Sequence, residues 1–231
     1  VTPLKDRFGS QIRTHYPKTL EDEILIIEQE KTTLPNINNE ITMPKFMLEI
    51  VAEITNLARK SPDINQRSGV SVRMSIANYE TLMSCAIRRA IRSQEDSGAP
   101  RISDLPNILS SSSGKIELET FEDTKEARVI DELTKKAVLN TFSRYLNPQN
   151  FESLVKKFDQ GLSIEVGPEI ASANYVEKIA IDDELASGLD NLDARKSPAT
   201  ISSALEFILE GLHLSRLINR ENIKGQYRYK A

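Results

Sequence analysis

The chain has no tryptophan, only two histidines and a single cysteine among its 231 residues. The lone cysteine, Cys85, has no partner for an internal disulfide, which fits a reducing, cytoplasmic setting. His15 and His213 stand far from each other and from Cys85, so the ligand spacing of a zinc site is missing. The same isolation argues against a thiol nucleophile. Cys85 lies in the apolar-spaced run MSIANYETLMSCAIRRAI and reads as a small buried residue. The nine glycines form neither G-x-x-x-x-G-K-[ST] nor G-x-G-x-x-G, and no G-x-S-x-G elbow occurs. No apolar run ends in paired acids that would hold magnesium beside a phosphate loop. No run approaches the roughly 18 apolar residues of a membrane span. The start, VTPLKDRFG, lacks the basic-then-apolar pattern of a signal peptide. Positive charge is not in excess: 30 Lys and Arg face 34 Asp and Glu, a net charge of −4. That speaks against a general nucleic-acid binder, which needs a basic surface.

What is present is helical patterning. Hydrophobic residues make up 39% and charged residues 28%, the balance of a folded soluble chain. SQIRTHYP alternates, with Ile12, Thr14 and Tyr16 on one face, and predicts a short strand stopped by Pro17. Thr19 and Asp22 have capping-box spacing, and Leu20, Ile24 and Ile27 carry a helix to about residue 31. TTLPNINNEITMP reads as a polar linker. Phe46, Met47, Ile50, Val51, Ile54, Leu57 and Ala58 predict the next helix, which SPDINQRSGVS breaks. Another helix starts near 72–75, with Ile76, Tyr79, Met83, Ala86, Ile87 and Ala90 as its stripe. RISDLPNILSSSSG predicts one short helix and a serine-rich loop. Further stripes run through Val129, Leu133, Ala137 and Val138, through Phe151, Leu154, Val155 and Phe158, and through Ile201, Leu205, Ile208 and Leu212. The last of these helices starts after Pro198, where proline suits a first turn. KIELETF and LSIEVG alternate and are expected to pair as a small sheet. RRAIR and ELETFEDTKEARVIDE read as solvated faces, His15 as a strand-face residue and His213 as packed in a helix interface.

Two stretches carry a resemblance. PLKDRFGSQI resembles the arginine-finger region of AAA+ ATPases, just before the last strand of the nucleotide-binding core. Its Leu-x-Asp-Arg-Phe pattern is that of the magnesium chelatase I-subunit-like, MoxR-related branch. SGVSVRMSIANYETLMSCAIRRA is similar to the second sensor motif of that branch, and LEFILEGLHLSRLIN resembles the C-terminal part of its chelatase-like members.

The resemblance implies a mainly α fold: an AAA+ lid-type helical bundle plus a C-terminal helical region, with a short strand remnant of the α/β core at the N-terminus. Residues 1–35 would end the core, 36–114 would form the lid, and 115–231 the C-terminal region. Arg7 would be a finger acting in trans on a neighbouring subunit's nucleotide, with Asp6 orienting it or bridging subunits. Without the resemblance, Arg7 reads as a surface ion pair. Arg73 would touch the terminal phosphate in cis, at the start of a lid helix whose dipole favours an anion. Arg67 is a third phosphate or interface candidate. ATP and Mg2+ would belong to the complete assembly, with none bound by this chain alone. The implied partners are the ATPase core, neighbouring ring subunits and a protein with a von Willebrand factor A-type domain. Lacking a phosphate loop, the chain is expected to be the C-terminal portion of such an ATPase and inactive alone. The alternative is a non-enzymatic helical oligomerisation or adaptor module.

Overall fold

The computed structural model describes residues 7, 9, 10, 12, 14–32, 39–119, 125–223 and 225–231. The fold is mainly helical. Nine α-helices and two small sheets make up the regular structure of these residues.

Helix α1 is Leu20–Glu30. Thr19 Oγ1 accepts the Asp22 N–H at 3.1 Å, and the Asp22 carboxylate accepts the Thr19 N–H at 3.3 Å. This reciprocal box satisfies two donors that a helix start would otherwise orphan. Strand β1 is Glu40–Ile41, followed by α2 over Lys45–Ala58. Helix α3, Arg73–Ser93, ends where Gln94 turns left-handed at φ 54°. Strand β2, Ser97–Gly98, pairs in parallel with β1. A 3-10 turn over Ile102–Asn107 leads into α4, Ile108–Ser112. Much of the expected serine loop is therefore helical. The Ser110 and Ser111 hydroxyls donate back to the carbonyls of Asn107 and Ile108, so the serines find partners inside the turn.

Helix α5 is Lys125–Tyr145; a 3-10 turn, Pro148–Phe151, then enters α6, Glu152–Asp159. Strand β3 is Ile164–Val166, α7 is Ala173–Ile179 and α8 is Asp183–Asn191. Helix α9, Pro198–Leu214, starts at an N-cap Ser197 with proline in the first turn. Strands β4, Asn219–Ile223, and β5, Gln226–Lys230, close the chain as a hairpin. Gly225, at φ 85°, makes its turn.

The centre of the molecule is α9. Every residue from Ala199 to Leu212 is buried, so α5, α7 and α8 wrap a helix with no solvent face. Phe207 of α9 stacks on Phe46 of α2 at 4.7 Å and meets Phe142 of α5 edge-on at 5.9 Å. One continuous apolar cluster runs from Ile27 to Tyr229.

Four expectations need correction. LSIEVG does form a strand, β3, but its partner is β5, with Ile164 opposite Tyr229. Among the described residues of KIELETF, Leu118 makes only an isolated bridge to Ile64; Thr120 and Phe121 lie outside the described residues. The hairpin wins because Tyr229 sends its hydroxyl to buried Glu210 at 2.7 Å, which anchors β5 in the core. In SQIRTHYP none of the described residues is in a strand: Ile12 is 89% exposed, and Tyr16 turns towards Arg59 instead. Gln11 and Arg13 lie outside the described residues. RRAIR is not a solvated face throughout, because Arg89 is 4% exposed and ion-paired. His213 is half-buried and meets the hairpin rather than a helix, with Nδ1 at 3.1 Å from the Ile218 carbonyl and its ring edge-on to Tyr229 at 6.4 Å, and Cys85 is buried as expected. His15 is exposed.

Candidate functional site

The residues singled out by sequence gather at one place only in part. Arg73 is the first residue of α3, and Arg67 lies in the turn before it. Both are exposed, and neither side chain has a hydrogen bond or ion pair among the described residues. Arg7 is exposed in a turn, and its side chain too has no hydrogen bond or ion pair among the described residues. Asp6 lies outside the described residues.

The turn that presents Arg67 and Arg73 is tightly held. The Gln66 side-chain amide donates to the carbonyls of Ser61 and Ile64 at 3.0 and 3.1 Å. Asn65 N donates to the Glu117 carbonyl at 2.7 Å, and Glu119 N to the Asp63 carbonyl at 3.0 Å. The Ser68 hydroxyl bonds the Glu117 carboxylate. Gly69 adopts φ 74°, and a Cβ there would lie 2.1 Å from the Tyr16 hydroxyl. That hydroxyl accepts the Val70 N–H at 2.9 Å, so the position suits glycine on both counts.

Val72 gives helix α3 no side-chain cap and its first turn holds no acid, but the Ser71 hydroxyl accepts the Arg73 N–H at 3.3 Å. The Glu23 carboxylate, shared with Arg59, accepts from Ser75 in that first turn, and the unpaired Arg73 guanidinium stands at the helix start with Arg67 in the preceding turn. Such an arrangement attracts a multiply charged anion, above all a phosphate. No group of three or more His, Cys, Asp or Glu that could hold a metal occurs among the described residues.

Beneath the turn lies a buried clamp that sequence reasoning missed. Glu23 of α1, 2% exposed, takes both arms of Arg59, from Nη1 at 2.7 Å and Nη2 at 3.1 Å. Arg59 Nε donates to the Val70 carbonyl at 3.0 Å, and its guanidinium lies 4.6 Å from the Tyr16 ring centre. Ser75 in the first turn of α3 donates to Glu23 at 2.6 Å or to Thr55 of α2 at 2.7 Å. One carboxylate therefore ties α1, α2 and the base of α3 together. The spacing held the signal: Leu20, Glu23, Ile24 and Ile27 share one helical face, and Glu23 is the charge on it.

A second buried network carries α3 into the C-terminal half. Arg89 forms two 2.7 Å bonds to Asp104 and one of 2.8 Å to the Ala99 carbonyl. Burial alone would lower the Arg89 pKa, but the hydrogen bonds and charge of Asp104 outweigh it and raise it. Arg101, 1% exposed, donates to the Ile170 carbonyl and to Ser172 Oγ, each at 2.7 Å. Its guanidinium stacks 4.6 Å from the ring centre of Tyr175, whose hydroxyl donates to Glu206 of α9 at 2.6 Å. Burial, then the Glu206 charge, push the Tyr175 pKa well up, so it stays a donor. The other Glu206 oxygen accepts the Ser103 N–H at 2.8 Å.

No family model matches the chain, and no curated protein or solved structure matches it either. No helix among the described residues is long and apolar enough to cross a membrane.

Proposed function

We propose that the chain is the lid and C-terminal part of a chelatase-like AAA+ ATPase, coupling ATP hydrolysis to the remodelling of a partner protein. The observation that carries this reading is Arg73. Its side chain is exposed and unpaired, at the N-terminus of a 21-residue helix. An arginine with no protein partner, on a base held by a buried ion pair, is arranged to meet something from outside.

The nucleotide and its Mg2+ would be held mainly by an ATPase core carrying a phosphate loop, which this sequence does not contain. Bound there, ATP supplies the phosphoryl group to be transferred. Arg73 donates hydrogen bonds to the terminal phosphate, and the α3 dipole adds to the attraction. Arg67 stands at the same turn as a second phosphate or subunit contact. Arg73 would thereby couple the presence of that phosphate to the position of α3. Arg89 and Arg101 fasten α3 to the C-terminal helices, so a change in that position would reach α7 and α9. Arg7 would reach the nucleotide of the neighbouring subunit and stabilise the charge that builds in the transition state, with Asp6 orienting it or bridging subunits. A client with a von Willebrand factor A-type domain, and the reducing cytoplasm as location, belong to the same proposal.

The test is made in the complete assembly. Arg7→Ala leaves nucleotide binding intact and lowers turnover at least about tenfold, since finger arginines contribute on the order of 10³–10⁵. Unchanged turnover refutes the finger. If the assembly forms and works without any nucleotide dependence, the chain is the non-enzymatic adaptor instead.

A further inference from the structure

A cleft of about 180 Å³ lies between the Ile102–Asn107 turn, α5 and the β4–β5 hairpin, away from the α3 turn. Ile102, Leu105, Ile130 and Val138 give it apolar walls, and all four are buried. A cavity of about 150 Å³ with such walls admits a benzene ring, so one ring with a small substituent fits here.

Its polar end is specific. Glu210 of α9 and Arg220 of β4 both line the cleft, 2.8 Å apart through Arg220 Nη1 and Glu210 Oε1. The other Glu210 oxygen takes the Tyr229 hydroxyl at 2.7 Å. A carboxylate has about four acceptor positions and a guanidinium five donors, so the pair keeps spare capacity of both kinds. Tyr227 also lines the cleft, with the Arg220 guanidinium 4.6 Å from its ring centre, and its hydroxyl has no partner among the described residues. At the rim Asp131 and Lys135 pair at 2.5 Å. The four charges facing the cleft cancel. An anion would meet Glu210 and a cation would meet Arg220, so neither gains overall.

We propose that this cleft binds a small uncharged ring molecule bearing an amide. An amide presents a C=O and an N–H side by side, the complement of a donor next to an acceptor. The ring fills the apolar part and leans on Tyr227. Arg220 donates to the carbonyl oxygen, and Glu210 accepts the N–H.

Benzamide is the probe, titrated into the 231-residue chain and followed by NMR shifts of α5 and hairpin amides. The expected dissociation constant is roughly 1 mM for so small a ligand. Benzoate and benzylammonium are expected to bind at least about tenfold more weakly, a difference of ~1.4 kcal/mol. Ala127 lies exposed at the lip of the cleft, so Ala127→Trp obstructs it and weakens benzamide at least about tenfold without lowering the unfolding temperature. Leu109→Lys, at another partly exposed lining position, is the second blocking variant should the first disturb folding. No saturation by about 20 mM benzamide, equal binding of benzoate, or binding unchanged in a folded blocking variant each overturns the proposal.

Discussion

Removing Glu23 separates the clamp's structural role from the role proposed for Arg73. In Glu23→Ala, Arg59 stays largely buried, at 9% side-chain exposure, with only the Val70 carbonyl and the Tyr16 ring to face. Ser75 keeps Thr55 alone. Breaking one side of a buried pair costs about 3–5 kcal/mol, because the remaining charge is left unpaired. For a chain of this size each kcal/mol moves the unfolding midpoint by about 2–4 °C, so the expected fall is roughly 6–20 °C. The double variant Glu23→Leu with Arg59→Met leaves no buried charge, and such swaps are often neutral or stabilising. It is expected to recover most of the loss, with a coupling of at least about 2 kcal/mol. Urea unfolding of Glu23→Leu, Arg59→Met, the double variant and the parent measures that coupling, and thermal unfolding of Glu23→Ala measures the single loss. The double variant nevertheless loses the Ser75 tie, and the nucleotide response of α3 should weaken in the complete assembly. A loss below about 1 kcal/mol in Glu23→Ala would place the pair with surface ion pairs and refute the clamp.

Two further perturbations follow from the geometry. A Cβ at Gly211 would lie 2.1 Å from Phe142 Cδ2, and that ring is wedged against Phe151 and Phe207. Gly211→Ala is expected to destabilise by about 1–3 kcal/mol in denaturant unfolding, overriding the ~1 kcal/mol that alanine gains in a helix. A more stable variant would contradict the packing. For Asp182, burial alone would raise the pKa, but Lys157, the Glu184 amide and Ser153 outweigh it and hold the carboxyl below its ordinary value. A depressed folded pKa gives stability that is present above the unfolded value of 3.8 and fades as pH falls through the folded one. Asp182→Asn should therefore cost stability at pH 7 and progressively less below that value; a pH-independent difference would count against the ion pair.

The long helices were legible because their apolar spacing repeats over many turns. Leu20–Ile27, Phe46–Ala58 and Ile76–Ala90 each mark a face, and Thr19–Asp22 marks a start. Helices α7 and α8 were not, since Ala173–Ile179 and Asp183–Asn191 are too short for a period to emerge. The β4–β5 hairpin left a trace in Tyr227 and Tyr229 alternating with Arg228 beside Gly225. At the candidate site, the positions of Arg67 and Arg73 before and at a helix start could be read from the residues. The support beneath them could not. Charges on apolar faces, Glu23, Arg89 and Glu206, mark buried pairs, but spacing alone does not say which distant partner each one meets.

The central claim is that Arg73 reports the terminal phosphate through the base of α3. Hydrogen exchange at residues 71–76 of the complete assembly, compared with ATP and with ADP bound, tests it directly. The account predicts slower exchange with ATP, and no difference between the two nucleotides in Arg73→Ala. Equal exchange in the parent, or a difference that survives Arg73→Ala, would contradict it.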